Sequence, residues 1–302
     1  MTRIARTVIL AGLAVAAMAA PAAADLNDKL GALTGDNAKG YLGPLPKALS
    51  ATLNSAVFQS GKVPRTGINF TIGVHVMGAN FSDDDRTFTP TDPAGFESVT
   101  PTPVPTIIGG SEAVAVDGVG GTVLNYPGGL DTKTFTIAAP ELTIGSVFGT
   151  RAVVRWFAMD LKDSDLGKIE LFGFGGQHSI SQYFPNLPAD VAFGAFYQTF
   201  KIGDELLDTK ALHVDVTASK ALGAKGLVKL EPYVGLGYDT FSMDASYTSS
   251  TDPTDHIGVS MDKQSNVHFT LGAQLTLAVV KLHGEFNVAA NTGAAIGLSF
   301  GR

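Results

Sequence analysis

Two histidines stand beside the residue types that hydrolytic enzymes use. His178 is followed by Ser179 and Ser181, and His213 precedes Asp215. Nucleophilic catalysis requires a nucleophile, a base and a group that orients the base, together with an oxyanion site. Neither pair is accompanied by a nucleophile elbow, an oxyanion signature or a recognisable third member. The pattern therefore predicts that the chain is not an enzyme.

Metal binding is the second chemistry that histidines can support. Five of the six histidines fall on predicted strands: His75, His178, His213, His268 and His283. No two of them have the spacing of metal ligands on one face of a strand. The chain has no cysteine, which excludes disulfides and thiolate metal sites. The sequence predicts neither a metal nor any other cofactor.

Polar residues alternate with apolar residues along several segments. His213 and Asp215, for example, alternate with Leu212, Val214 and Val216. A period of two places one type of side chain on each face of a strand. If the polar faces point into a barrel, they bring ten side chains into one lumen: Arg151, Arg155, His213, Asp215, Lys229, Glu231, His268, Gln274, His283 and Glu285. Both signs of charge are present, so the interior is either a salt-bridged polar core or a weakly selective pore.

About ten segments have this alternation and are predicted strands. They span approximately 68–81, 134–148, 150–159, 167–180, 190–203, 209–222, 226–242, 264–278, 280–290 and 292–301. Membrane strands need about 9 to 11 residues, and no segment has the roughly 18 apolar residues of a spanning helix. A membrane-embedded chain must then be a closed barrel. We predict an all-β, antiparallel transmembrane barrel of about ten strands, in a range of about 8–12, with a short N-terminal periplasmic helix.

The connections between these strands differ in length in a regular way. The two longest, about 82–133 and 243–263, are the first and the seventh, whereas the even-numbered 149–150 and 223–226 are tight. The fourth, 181–190, is the exception. Outer-membrane barrels have short periplasmic turns and long extracellular loops. The pattern therefore predicts that both long connections are extracellular. A soluble periplasmic β-sandwich that binds a ligand is an alternative. Such a fold, however, has no reason to make its odd-numbered connections long and its even-numbered connections short.

The first residues have the features of an export signal. Arg3 and Arg6 precede an apolar run from Val8 to Ala20, and small residues continue to Ala24. This is typical of a secretory signal peptide, cut after about Ala24. Without the two arginines the formal charge falls from −7 to −9, which argues against a nucleic-acid partner. The expected location is the bacterial outer membrane, with lipid, lipopolysaccharide and the barrel-assembly machinery as partners.

Residues 25–66 have a different pattern from the rest of the chain. Apolar side chains recur every four residues, as on one face of a helix: Leu45, Leu49, Leu53 and Val57. This segment is either a short helix that packs on the barrel or a periplasmic cap or plug in its mouth. The predicted organisation is a signal peptide at 1–24, a helical segment at 25–66 and a barrel at 67–302.

Several motifs are similar to those of a known family. They are YLGPL at 41–45, VFGT at 147–150, GFGGQHSISQYFP at 173–185, FNV at 286–288 and GLSF at 297–300. Through them the mature chain resembles an uncharacterised bacterial family of predicted outer-membrane β-barrels that has no assigned function. The resemblance implies a fold and a location, and it implies no chemistry.

The C-terminal strand resembles the assembly signal of outer-membrane barrels. The residues that carry this likeness are Gly293, Ile296, Leu298 and Phe300. The chain departs from the usual signal by ending in Gly301-Arg302 rather than on the aromatic residue. The expected function is a passive channel or transporter for small solutes, hydrophobic ones among them. The alternative is a closed structural or adhesive barrel that acts through its extracellular loops.

Overall fold

Helices form before Thr66 and strands after it, as the change in hydrophobic period predicts. The computed structural model of the protein describes residues 26–161, 167–184, 186–203, 205–222, 228–250, 252 and 254–301. The helices are α1 (Leu26–Gly31), α2 (Gly35–Leu42) and α3 (Leu45–Leu53). Pro46 lies in the first turn of α3, where the missing N–H has no intrahelical partner to lose. The predicted signal peptide and the predicted turn at 223–226 lie outside the described residues.

Fifteen strands follow in the described part of the chain: β1 (Thr66–Asn80), β2 (Thr87–Phe88), β3 (Val104–Pro105), β4 (Val114–Asp117), β5 (Val123–Tyr126), β6 (Thr134–Val147), β7 (Thr150–Leu161), β8 (Gly167–Ser179), β9 (Asp190–Ile202), β10 (Leu207–Ser219), β11 (Val228–Thr248), β12 (His256–Ser260), β13 (Gln264–Leu277), β14 (Val280–Val288) and β15 (Thr292–Gly301). Short 3-10 turns occur at Asp83–Arg86 and Val119–Gly121. None of the helices in these ranges has the length and apolar character needed to cross a membrane.

Ten strands close into a barrel: β1, β6 to β11, and β13 to β15. Each pairs antiparallel with the next, and β1 lies between β15 and β6, so that Val74 is opposite both Leu298 and Pro140. Every one of these ten strands has a partner on both sides, although β6 and β7 pair only between Glu141–Val147 and Thr150–Arg155. The prediction of an all-β, antiparallel barrel of about ten strands with an N-terminal helical segment is confirmed.

The outward face of the barrel is apolar. Large hydrophobic side chains project from it into the surroundings: Phe70, Ile72, Ile144, Trp156, Phe172, Phe174, Phe193, Leu212, Val216, Leu230, Val234, Leu236, Tyr238, Val267, Phe269, Leu271, Leu282, Phe286, Val288 and Ile296. A water-soluble monomer rarely exposes a contiguous apolar surface of this extent. An apolar outer band over a polar interior is the pattern of a barrel in lipid.

The helices and the long connections lie at the same end of the barrel. Ser250 N–H donates to the carbonyl of Gly31, and Ile107 N–H donates to that of Tyr41, each at 2.9 Å. Strand β1 begins at the opposite end, where the turns are short. The expectation that the helices are periplasmic while the long connections are extracellular is therefore wrong, since both are on one side. The chain reaches β1 by running through the lumen, a path that hydrophobic periodicity does not encode.

An apolar core forms where the helices meet the barrel wall. Its buried members come from the helices, the strands and the first connection: Leu30, Leu33, Tyr41, Leu42, Leu49, Leu53, Met77, Ile107, Ile108, Ile137, Leu171, Phe200, Phe241 and Met243. Each fully buried side chain of this size contributes about 1.5–3 kcal/mol to folding. The core therefore anchors the helices at this end.

Both long connections contain short strands of their own. The first carries the pairs β2–β3 and β4–β5 and packs on the helices. The seventh was expected to begin at residue 243, but β11 continues to Thr248 and pairs with β12. The period of two continues here because Ala245 and Tyr247 are buried against the helical segment. Serines and threonines among these residues obscure that alternation in the sequence.

Candidate functional site

Residues 54–65, named here the lumen segment, cross the barrel interior from the helical end to the short-turn end. The crossing starts where α3 ends at Leu53. It finishes at Arg65, whose carbonyl accepts from Gly149 N–H at 2.8 Å. Irregular backbone inside a barrel has no strand partner for its polar groups, so side chains of the wall must bind them.

Arg155 on β7 binds the part of the lumen segment that is nearer the helical end. Its Nη1 donates to the carbonyl of Leu53 at 3.1 Å, and its Nη2 donates to those of Ser55 at 3.2 Å and Ala56 at 2.8 Å. Nη2 also donates to Oε2 of Glu141 at 2.8 Å. Arg155 is 0% exposed, and a charge so buried requires a charged partner and further hydrogen bonds. One side chain thus neutralises Glu141 and satisfies three backbone carbonyls.

Glu285 on β14 binds the same stretch through a backbone amide. Its Oε1 accepts from Ala56 N–H at 2.7 Å and from Asn287 Nδ2 at 2.9 Å. Its Oε2 accepts from the Tyr233 hydroxyl at 2.7 Å. Ala56 itself has a φ of 54°, in the left-handed region that non-glycine residues avoid at a cost of about 1–2 kcal/mol. The contacts of the wall hold this residue in its strained conformation.

Side chains of β7, β10 and β11 bind the part of the lumen segment that is nearer the short-turn end. The hydroxyls of Ser60 and Ser219 both donate to Oε1 of Glu231, that of Ser219 at 2.7 Å. Gly61 N–H donates to Oγ of Ser219 at 2.9 Å. Arg151 donates to the carbonyl of Ser60 at 3.0 Å. The wall therefore binds the segment along most of its length.

A cavity of about 280 Å³ lies at the short-turn end of the lumen. The lumen segment forms one wall through Ser60 and Lys62, and the strands contribute Arg151, Lys229 and Lys281. Lys229 is paired with Glu231, whereas Lys281 donates to Oγ1 of Thr71 at 2.9 Å. Between the cavity and the helical end, α3 and the apolar core fill the barrel. The arrangement is a barrel with a small basic vestibule at one end and its own chain in the interior.

Three neighbouring strands bring His213, Asp239 and His268 together. Nδ1 of His213 lies 2.6 Å from Oδ1 of Asp239, and Nδ1 of His268 lies 2.7 Å from Oδ2. All three side chains are buried, and they are named here the histidine–aspartate cluster. The ring of Phe58, from the lumen segment, has its centroid 6.4 Å from that of His213. The lumen segment thus covers this cluster.

The ten side chains predicted to line the lumen all lie on inward faces. Six of them surround the lumen segment or line the cavity beside it: Arg151, Arg155, Lys229, Glu231, Gln274 and Glu285. His213 and His268 belong to the histidine–aspartate cluster, and Asp215 accepts from Oγ1 of Thr217. His283 packs on His75 with ring centroids 4.8 Å apart.

Residues that are not among the ten predicted to line the lumen complete these contacts. The main ones are Glu141, Gln198, Tyr233, Asp239 and Asn287. Three of them share a strand and a parity with residues that were named: Tyr233 and Asp239 with Glu231, and Asn287 with Glu285. Extending the alternation along the whole strand would have found these three. Glu141 lies directly opposite Arg155 in the register of β6 and β7, which the sequence does not reveal.

The four residues of the predicted helix face lie in two different places. Leu49 and Leu53 are buried on α3, and Leu45 packs at the edge of the core. Val57 does not belong to this face, because α3 ends at Leu53; it packs with Phe58 in the lumen instead. On β15 the side chain of Ile296 points outward, whereas Gly293 lies on the inward face.

Comparisons with known proteins give a family and two distant structural matches. A family model described as a family of unknown function (DUF6588) matches residues 1–302. A loop-deletion mutant of OmpT, an outer membrane protein of Vibrio cholerae, is 12% identical with a TM-score of 0.26, covering 79% of this chain and 100% of that one. The toluene transporter TbuX of Ralstonia pickettii is 10% identical with a TM-score of 0.21, covering 80% and 90%. The comparison with curated proteins found no match.

One expectation about chemistry has to be corrected. The sequence predicts a chain that is not an enzyme, in part because His213 and Asp215 have no recognisable third member. The match to OmpT, at 12% identity and a TM-score of 0.26, shows no enzyme activity. The structure also places Asp239 between His213 and His268, so the argument from a missing partner no longer holds.

Proposed function

The chain belongs to a family of unknown function, DUF6588, and we propose that it is a bacterial outer-membrane barrel that passes small solutes when its lumen segment shifts. The apolar outer band supports a location in lipid. The proposal includes export by residues 1–24, recognition of β15 by the barrel-assembly machinery, and contact of the long connections with lipopolysaccharide. Cargo is expected to be a small solute rather than nucleic acid.

The observation that carries this proposal is the way in which the lumen segment is held. Its backbone is bound by side chains, such as Arg155 and Glu285, and not by strand pairing. A narrow barrel that is only structural fills its interior with side chains of its own strands. Here a separate stretch of chain occupies that space. This stretch of chain can move without breaking the backbone hydrogen bonds between the barrel strands.

A shift of the segment would leave a polar passage. The side chains released would be charged ones of both signs, among them Arg151, Arg155, Glu231 and Glu285. A typical hydrogen bond contributes about 0.5–1.5 kcal/mol net, so the set of contacts favours the closed arrangement at rest. In the closed arrangement the vestibule of about 280 Å³ has room for a small solute only.

Conductance in planar bilayers tests the proposal. The refolded full-length protein is compared with a variant that lacks residues 26–63, and heat-modifiable migration on gels verifies that each has formed a barrel. We expect rare openings of the full-length protein and frequent openings of the shortened one. Silence from both correctly folded proteins would overturn the proposal in favour of a closed barrel that acts through its long connections.

A further inference from the structure

We propose that His213, Asp239 and His268 bind a divalent transition-metal ion such as Zn²⁺ inside the lumen. Each residue offers one ligand atom, and the three atoms all lie within 4.8 Å of one another. Two imidazole nitrogens and one carboxylate oxygen form a ligand set that suits Zn²⁺ and leaves room for a further ligand. This inference does not depend on solute passage.

The barrel ladder places these ligands without help from loops. His213 on β10 is directly opposite Asp239 on β11. On the other side of β11, His268 of β13 is opposite Gly237, two residues from Asp239. Side chains carried by paired strands are positioned more rigidly than those on loops. The three ligands therefore converge as a consequence of register.

The hydrogen bonds of His268 match those of a metal ligand. Its Nδ1 faces Asp239, and its Nε2 lies 3.0 Å from Oδ1 of Asn287. Nδ2 of Asn287 donates to Glu285, so Oδ1 is the acceptor. Both nitrogens of His268 thus face acceptors, whereas a neutral imidazole carries a single N–H. With an ion on Nδ1, the Nε2–H donates to Asn287, as the second nitrogen of a metal-bound histidine usually does.

The charges around the cluster also favour a cation. Within the described residues the ion pairs of Asp239 are with His213 and His268. Asp215 is buried as well, and its Oδ1 has no hydrogen-bond partner in the same part of the chain. Buried carboxylates are costly unless a cation compensates them. Asp215 and His213 border one space, because a Cβ on Gly237 would lie within about 3 Å of atoms of both.

The ion would lie beside the lumen segment. Phe58 covers His213 on one side. On the other, Asn287 connects His268 to Glu285, whose Oε1 accepts from Ala56 N–H. Metal binding at the cluster replaces the two Nδ1–H···O hydrogen bonds by bonds to the metal. Each imidazole then keeps one proton, on Nε2, and a second proton, where an imidazole carries one, is released to solvent.

Calorimetric titration of the untagged, chelator-treated and refolded full-length protein with Zn²⁺ tests this inference. We expect one ion per chain, with proton release seen as a dependence of the heat on the ionisation enthalpy of the buffer. His213→Ala, His268→Ala and Asp239→Asn should each weaken binding at least about tenfold, and Asn287→Ala about tenfold. His256→Ala is the matched control, since His256 is exposed on β12, and it should bind as the parent does.

Two outcomes would overturn the inference. One is the absence of saturable binding at one ion per chain in the parent protein. The other is binding that remains unchanged in Asp239→Asn and in both alanine variants. Asp239→Asn preserves the size of the side chain, and heat-modifiable migration verifies its fold. A loss of binding in this folded variant is therefore a loss of the ligand.

Discussion

Arg155 and Glu285 bind opposite backbone groups of one residue. Arg155 donates to the carbonyl of Ala56 at 2.8 Å, and Glu285 accepts from its N–H at 2.7 Å. The two side chains come from β7 and β14, on different parts of the barrel wall. The lumen segment is therefore hydrogen-bonded to two different parts of the wall at Ala56 and is not held by one side alone.

Replacing Arg155 by Met should destabilise the protein by about 3–5 kcal/mol, because the change leaves Glu141 buried without its cation. The variant should also open more often in bilayers, since three carbonyls of the segment lose their donor. Urea unfolding in detergent and conductance measure the two effects. The double variant R155M/E141Q is the control and should recover part of the stability. Equal stability of the single and double variants would contradict this account of the pair.

A disulfide between the lumen segment and the wall should lock the barrel closed. Ser60 and Ser219 both donate to Oε1 of Glu231, and the chain has no cysteine of its own. S60C/S219C should conduct under reducing conditions and become silent when oxidised. S60C and S219C alone are the controls and should not respond to oxidant. Conductance that persists in the verified disulfide form would show that passage does not need the segment to move.

Gly61→Ala should displace the part of the lumen segment that is nearer the short-turn end. A Cβ at this position would lie 2.3 Å from the carbonyl oxygen of Asp190 and 2.7 Å from that of Thr217. The backbone of the wall cannot yield cheaply, so the segment must shift, and we expect more frequent openings together with faster proteolysis near residue 61. Gly258→Ala is the control, because nothing lies within 4 Å of its added Cβ. Identical behaviour of the two variants would refute the close fit.

The turn after β11 should show a pH dependence confined to acid. The carboxylate of Asp252 accepts a hydrogen bond from the Thr254 hydroxyl at 2.7 Å and another from the Thr254 N–H at 2.9 Å. Both bonds lower the pKa of Asp252, and the bond from the hydroxyl has the larger effect. A lowered pKa in the folded state stabilises the turn above the ordinary value of about 3.9. This contribution is lost as the pH falls through the lowered pKa. Thr254→Val should raise the pKa of Asp252 in a carboxyl NMR titration, and an unchanged value would exclude the hydroxyl as its cause.

Much of the barrel could be predicted because a strand in a membrane barrel has one polar and one apolar face. The alternation around His213 and Asp215 identifies both β10 and its inward residues. The path of the lumen segment could not be predicted, since its side chains make no periodic pattern and the backbone groups of Ala56 are what the wall binds. Contacts between strands that are distant in sequence, as between Arg155 and Glu141, depend on a register that alternation alone leaves open.

The closure of β1 against β15 imposes a topological condition on the molecule. The lumen segment is threaded through a ring that is sealed by the pairing of the first and last barrel strands. Helices α1 to α3 lie on one side of that ring and the start of β1 on the other. The helices are too bulky to pass through a sealed barrel while folded. Either the barrel closes around a segment that is already in place, or the helices fold only after the chain has passed through. In the first order the pairing of β15 with β1 is the step that encloses the segment.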